Sequence, residues 1–137
     1  MMKNKHIALD TNILIDHFNA SPRVDELLGS FDCLHIPVPV IAEMEYGYQL
    51  LKKSDPKKKI FDEFLNRKDI KIIVCDREAA KRFAEIKREL KNKGAMIPIN
   101  DIWIAACCIT SGLSLATRDS HFQRIPELKA EIWQSVF

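Results

Sequence analysis

The sequence is poor in the features that would set it outside the ordinary globular proteins. No apolar run reaches the roughly 20 residues that span a bilayer, which argues against a membrane protein. The opening stretch MMKNKHIALD meets charge too early to hold the apolar core of a secretory signal, so a cytoplasmic protein is expected. None of the four cysteines stands in a C-x-x-C pair: Cys33 and Cys75 are isolated, while Cys107 and Cys108 are neighbours in an apolar segment. None therefore has the spacing of a zinc site or redox pair, and buried free thiols are expected. Repeats, low-complexity tracts and linkers are missing too, so the 137 residues are read as one domain, residues 1–137. The net charge of +2 is too small to announce a nucleic-acid binder by itself.

What is present is a 47% hydrophobic, 29% charged chain in which strand and helix patterns alternate. His6 to Leu9 reads as a short buried strand, followed by a helix from Thr11 to Phe18 with Ile13, Leu14 and Phe18 at helical spacing. Ser21-Pro22 starts a second helix with Val24, Leu27 and Leu28 as its stripe. Leu34 to Pro37 is a strand, Val40 to Leu51 a helix, and Lys57 to Leu65 another helix after the Asp55-Pro56 break. Ile70 to Val74 is β-branched and extended. Asp76 caps a helix striped by Ala79, Ala80, Phe83, Ile86 and Leu90, which Gly94 closes. Ile102 to Ile109 is apolar on every side and predicts a buried helix ended by Gly112. Strands are expected at Leu113 to Ala116 and Glu131 to Trp133. This alternation implies an α/β/α sandwich around a parallel sheet of four to five short strands.

Four acids share a position in that scheme. Asp10 follows the first strand, Glu43 lies in the first turns of the helix after the second, Asp101 opens the buried helix, and Asp119 follows the strand ending at Ala116. In open α/β sheets the crevice beyond the carboxyl ends of the strands is the binding place. Singly, each acid has a cap, turn or solvated-helix reading. Together in one cleft they would repel unless protons or cations neutralised them. Hard oxygen donors without a histidine cluster favour Mg2+ or Mn2+ over zinc. Basic residues gather in two runs, Lys52 to Lys59 and Lys81 to Lys93, each readable as a solvated helix face or as a phosphate-facing patch.

The stretches LDTNILID, VIAEMEYG, IPINDIWIAA and ATRDSHF resemble, in order and spacing, the motifs of PIN domains. They are most similar to those of VapC-type toxins from bacterial and archaeal toxin–antitoxin pairs. The resemblance spans about Ile7 to Ile132 and implies a metal-dependent endoribonuclease using Mg2+ or Mn2+. The family's acids fall on Asp10, Glu43, Asp101 and Asp119, as metal ligands and catalytic residues. Thr11, Asn12 and Thr117 match polar residues that orient carboxylates or water, and Arg118 is a candidate phosphate contact. His121 is read as a turn residue packed by Phe122 in preference to a general acid. The implied partners are an RNA substrate, a VapB-type antitoxin and a second copy in a homodimer, with no membrane. The alternatives are a solitary RNA-processing nuclease and a PIN-like module that binds RNA or protein without cutting. A haloacid-dehalogenase-type phosphatase is disfavoured because Asn12 stands where that chemistry needs its second aspartate.

Overall fold

The computed structural model describes residues 5–134. Among these described residues the chain forms one parallel sheet of five strands flanked by helices. Strand β1 is His6–Leu9, β2 Cys33–Pro37, β3 Ile70–Ile73, β4 Leu115–Thr117 and β5 Ala130–Ile132. The helices are α1 Thr11–Phe18, α2 Pro22–Leu28, α3 Val38–Gln49, α4 Lys57–Leu65, α5 Arg77–Asn92 and α6 Ile99–Thr110, with a 3-10 turn at Ser120–Arg124. The spatial order is β3-β2-β1-β4-β5, with every pairing parallel.

Central placement explains the composition of β1. A parallel strand covered on both faces has no solvent side, so it reads as a continuous apolar run rather than an alternating one. Ile7, Ala8 and Leu9 are accordingly fully buried. Burial of α6 has the same cause: Ile102, Ile104, Ala105, Ala106, Cys107 and Cys108 are all enclosed. Amphipathic α5 covers it with Ala79, Ile86 and Leu90, and Phe83 stacks on Trp103 at 4.0 Å between ring centroids. Ala80, placed on the α5 stripe from the sequence, faces solvent.

Element ends follow local chemistry. Asp10 and Asp76 are in extended conformation and cap α1 and α5, accepting from the amides of Thr11 and Ala79. Ser21 caps α2, with Pro22 in the first turn where no amide proton is needed. For the same reason α3 begins two residues earlier than its periodicity indicates: Pro39 sits in the first turn and does not break the helix. Gly94 and Gly112 adopt positive φ, 63° and 67°, directly after α5 and α6, the backbone region that glycine enters without a Cβ clash. The 3-10 turn after Asp119, expected only as a loop, is the main element missing from the sequence reading. Its five residues carry one buried apolar side chain, Phe122, too few to generate a periodic signal. Cys33, Cys107 and Cys108 are buried free thiols, whereas Cys75 is exposed just beyond β3.

Candidate active site

In the order β3-β2-β1-β4-β5 the chain moves outward from β1 in both directions, so the carboxyl ends of β1 and β4 flank a topological switch point. The acids meet there. Asp10 leaves β1, Glu43 projects from the second turn of α3, and Asp101 lies in the first turn of α6. One carboxylate oxygen from each of these three residues lies within 4.8 Å of the others.

Asp10 is the buried member, 3% exposed. Its Oδ1 accepts from the Thr11 amide at 2.8 Å; its Oδ2 accepts from Thr117 Oγ1 at 2.6 Å and from Asn12 Nδ2 at 3.4 Å. Burial pushes its pKa up to about 6, against the lowering effect of those donors and with a further rise from the nearby charges of Asp101 and Asp119. Asp101 is also pushed above the usual carboxylate range, chiefly by burial and opposed by His121. Its Oδ2 is 2.8 Å from His121 Nε2. Glu43 is exposed, and both its side-chain donors, Thr11 Oγ1 at 2.9 Å and Asn100 Nδ2 at 2.7 Å, reach the same oxygen, Oε1. That pair fixes the carboxylate while Oε2 takes no side-chain hydrogen bond among the described residues.

Asp119 stands apart from the first three. It is exposed, accepts from Asn12 Nδ2 at 3.3 Å, and forms a second cluster with Asp101 and His121. Asp101 is common to both clusters, so the four acids line one cleft in two overlapping groups. Thr117 organises their junction: its hydroxyl donates to Asp10 and accepts from the Asp119 amide at 3.0 Å. Asn12 likewise reaches both acids and takes the Arg118 amide on its Oδ1.

Arg118 is placed differently from its expected role. Its Nε lies 2.9 Å from Oδ2 of buried Asp16, ion-pair distance without hydrogen-bond alignment, so the guanidinium is turned toward α1. His121 does pack on Phe122, at 4.9 Å between rings, but it also holds Asp101. Two contributors escaped the sequence reading. Asn100 sits inside the IPINDIWIAA stretch, one residue before Asp101, with no local signal of its contact to α3. Asp16 reads as one more polar position on α1 until its burial is known.

The donor set suits a hard divalent cation. It consists of carboxylate oxygens at the center, with no Lys or Arg bonded to Asp10, Glu43 or Asp101 among the described residues. Beside the acids runs an apolar groove lined by Ile15, Phe18, Tyr48, Leu51 and Ile60, with Thr11, Glu43 and Lys57 at its polar margin. No described helix is long and apolar enough to cross a membrane.

A family model described as PIN domain matches residues 7–128. Ribonuclease VapC2 of Rickettsia felis is 34% identical over 130 residues, 91% of this chain and 96% of that protein. Ribonuclease VapC1 of Methanocaldococcus jannaschii is 30% identical over 129 residues, 93% of this chain and 86% of that protein. Among solved structures, a chain in the crystal structure of VapBC2 from Rickettsia felis bound to a DNA fragment from their promoter superposes with a TM-score of 0.83. It is 31% identical, and the match covers 94% of this chain and 99% of that one.

Proposed function

The chain belongs to the PIN domain family, and from that membership we propose that it is a VapC-type endoribonuclease, the toxin of a toxin–antitoxin pair. The observation that carries the reading is the convergence of Asp10, Glu43 and Asp101 at the sheet's switch point, in a chain whose ribonuclease relatives match it almost end to end. The whole chain acts as one domain, which its continuous hydrophobic core supports.

Asp10, Glu43 and Asp101 would hold the divalent ion, Mg2+ or Mn2+, with Asp119 on the flank shared with Asp101. The bound ion would supply positive charge to the phosphate being cut and to its departing oxygen. The chain's own groups do the positioning. Thr117, Asn12 and the Thr11 amide hold Asp10 in one orientation, so little reorganisation is needed as charge develops. Thr11 and Asn100 fix one oxygen of Glu43 and leave the other to orient the attacking water. His121 anchors Asp101 through one oxygen in the same manner. The cleft is open at Glu43 and Asp119, both exposed, which suits a polymeric substrate such as RNA.

The partner is a VapB-type antitoxin, and the apolar groove beside Glu43 is the place where its tail would approach the acids. A homodimer belongs to the same reading. The decisive experiment is RNA cleavage by the purified chain with Mg2+ or Mn2+. Asp10→Asn and Asp101→Asn are each expected to abolish cleavage with the circular dichroism spectrum unchanged, and EDTA to do the same to the parent protein. Full activity in either variant would remove the metal mechanism. An absence of cleavage under all ions would favour a binding module.

A further inference from the structure

A second group of metal-ligating side chains lies on the sheet, away from the acids. In the β1–β2 ladder His6 is paired with Cys33 and Ala8 with His35. Side chains two apart on a strand share a face, so Cys33 and His35 point the same way, and the parallel register sets His6 beside them. The sequence conceals this, because 29 residues separate His6 from His35. His6 Nδ1 is 2.8 Å from His35 Nε2, and one nitrogen of each ring and Cys33 Sγ lie within 4.8 Å of one another. Exposed His6 and half-buried His35 line a depression with Lys71, Ser111 and Leu113, and Cys33 is buried.

We propose that His6, Cys33 and His35 form a zinc(II) site at the amino-terminal side of the sheet, distinct from the acidic cleft. Two imidazoles and one thiol are borderline-to-soft donors, the set that selects zinc over magnesium. With usual bond lengths, tetrahedral zinc holds nitrogen pairs about 3.3 Å apart and nitrogen–sulfur pairs about 3.6 Å apart. The two ring nitrogens therefore separate by about half an ångström on binding. Binding breaks the Cys33 S–H bond and releases that proton to solvent; the ring that carries the shared N–H proton loses it to solvent and takes one up on its other nitrogen, so both imidazoles bind neutral. The thiolate offsets part of the cation's charge, which matters because Lys71 is paired in register with His35. Water completes the fourth position from the depression. The consequence is a clamp between β1 and β2, the strands that deliver Asp10 and the helix bearing Glu43.

The test uses the reduced full chain carrying Asp10→Asn and Asp101→Asn, so that the acidic cleft no longer competes, in millimolar Mg2+. Cobalt(II) is expected to bind one equivalent with a thiolate-to-cobalt charge-transfer band, to be displaced by zinc(II), and zinc(II) to raise Tm. Cys33→Ser should remove the band, and His35→Ala should weaken zinc binding by about tenfold or more, as loss of a ligand contact does. Absence of the band, or its persistence in Cys33→Ser with loss in Cys75→Ser, overturns the site. His6→Ala removes a side chain at the exposed edge of the site and covers the case in which Cys33→Ser fails to fold. Unchanged zinc affinity in that variant overturns the proposal equally.

Discussion

Removing the charge of Asp10 should make the metal-free protein more stable at neutral pH, although it destroys the site. The carboxyl is raised from 3.8 to about 6, mainly by burial. At about 1.4 kcal/mol for each tenfold change in proton affinity, that gap is worth about 3 kcal/mol. The sign follows from which state binds protons more tightly. Below pH 3.8 the group is protonated in folded and unfolded chains alike and no penalty exists. As pH rises the unfolded chain ionises first, so folding stability declines until Asp10 itself ionises near pH 6, and the full penalty stands above that. Asp10→Asn preserves shape and removes the charge, but its single amide oxygen cannot accept from the Thr11 amide on one side and from Thr117 and Asn12 on the other, as the two carboxylate oxygens do. Losing such bonds costs about 1–2 kcal/mol. The net expectation at pH 7.5 is a gain of about 1–2 kcal/mol, or roughly 3–8 °C in Tm. At pH 4 the order reverses, because the ionisation penalty has fallen to about half a kcal/mol, less than the lost hydrogen bonds cost. Thermal and urea unfolding of EDTA-treated parent and variant across pH 4–8 would measure the difference, in which other titrating groups largely cancel. Mg2+ should raise the Tm of the parent alone. A variant less stable than its parent by the same amount at every pH would refute the reasoning, since Asp10 would then ionise in the fold without penalty.

Arg118→Ala should cost about 2–3 kcal/mol by leaving the buried Asp16 carboxylate without its cation, and adding Asp16→Asn should restore more than half of that in urea unfolding. Equal losses in single and double variants would assign Arg118 to packing alone. His121→Ala should raise the Mg2+ concentration needed for half-maximal cleavage by about tenfold with the KM for RNA unchanged, because the residue positions Asp101. A changed KM with an unchanged metal requirement would place His121 on the substrate instead. Asp119→Asn should reduce cleavage by about 10–100-fold, less than Asp101→Asn, since Asp101 belongs to both acidic groups and Asp119 to one. Equal losses measured under saturating Mg2+ would give the two acids the same standing.

The parts of this architecture that were legible in the sequence are those written in local chemistry. β1, α1 and α4 were read with their observed limits because apolar runs, helical spacing and an Asp or a Pro-led start coincide at their ends. Errors gathered where local rules compete: at Pro39, tolerated within a first turn, and at Leu113 and Ser114, extended-looking residues that precede the ladder begun by Leu115. The acids were legible for a related reason. Strand ends and helix starts are local events, and in a parallel sheet they all fall on one edge, so four such acids predict a cleft without any knowledge of contacts.

What stayed hidden depends on register and side-chain reach. Asn100 is the second residue of α6, past its Pro98 cap, and it contacts Glu43 because α3 and α6 pack with their amino ends at the same edge. Arg118 follows Thr117 directly, and strand alternation sends the hydroxyl to Asp10 while the guanidinium turns to Asp16 on α1. A phosphate contact and a buried ion pair thus look identical in one dimension. The same edge logic works in reverse at the other end of the sheet. Chemistry placed at the carboxyl ends is announced by the helices that begin there, whereas His6, Cys33 and His35 are joined only by the pairing of two strands. A site of that kind is visible once register is known, and the sequence alone offers no reason to set His6 beside Cys33.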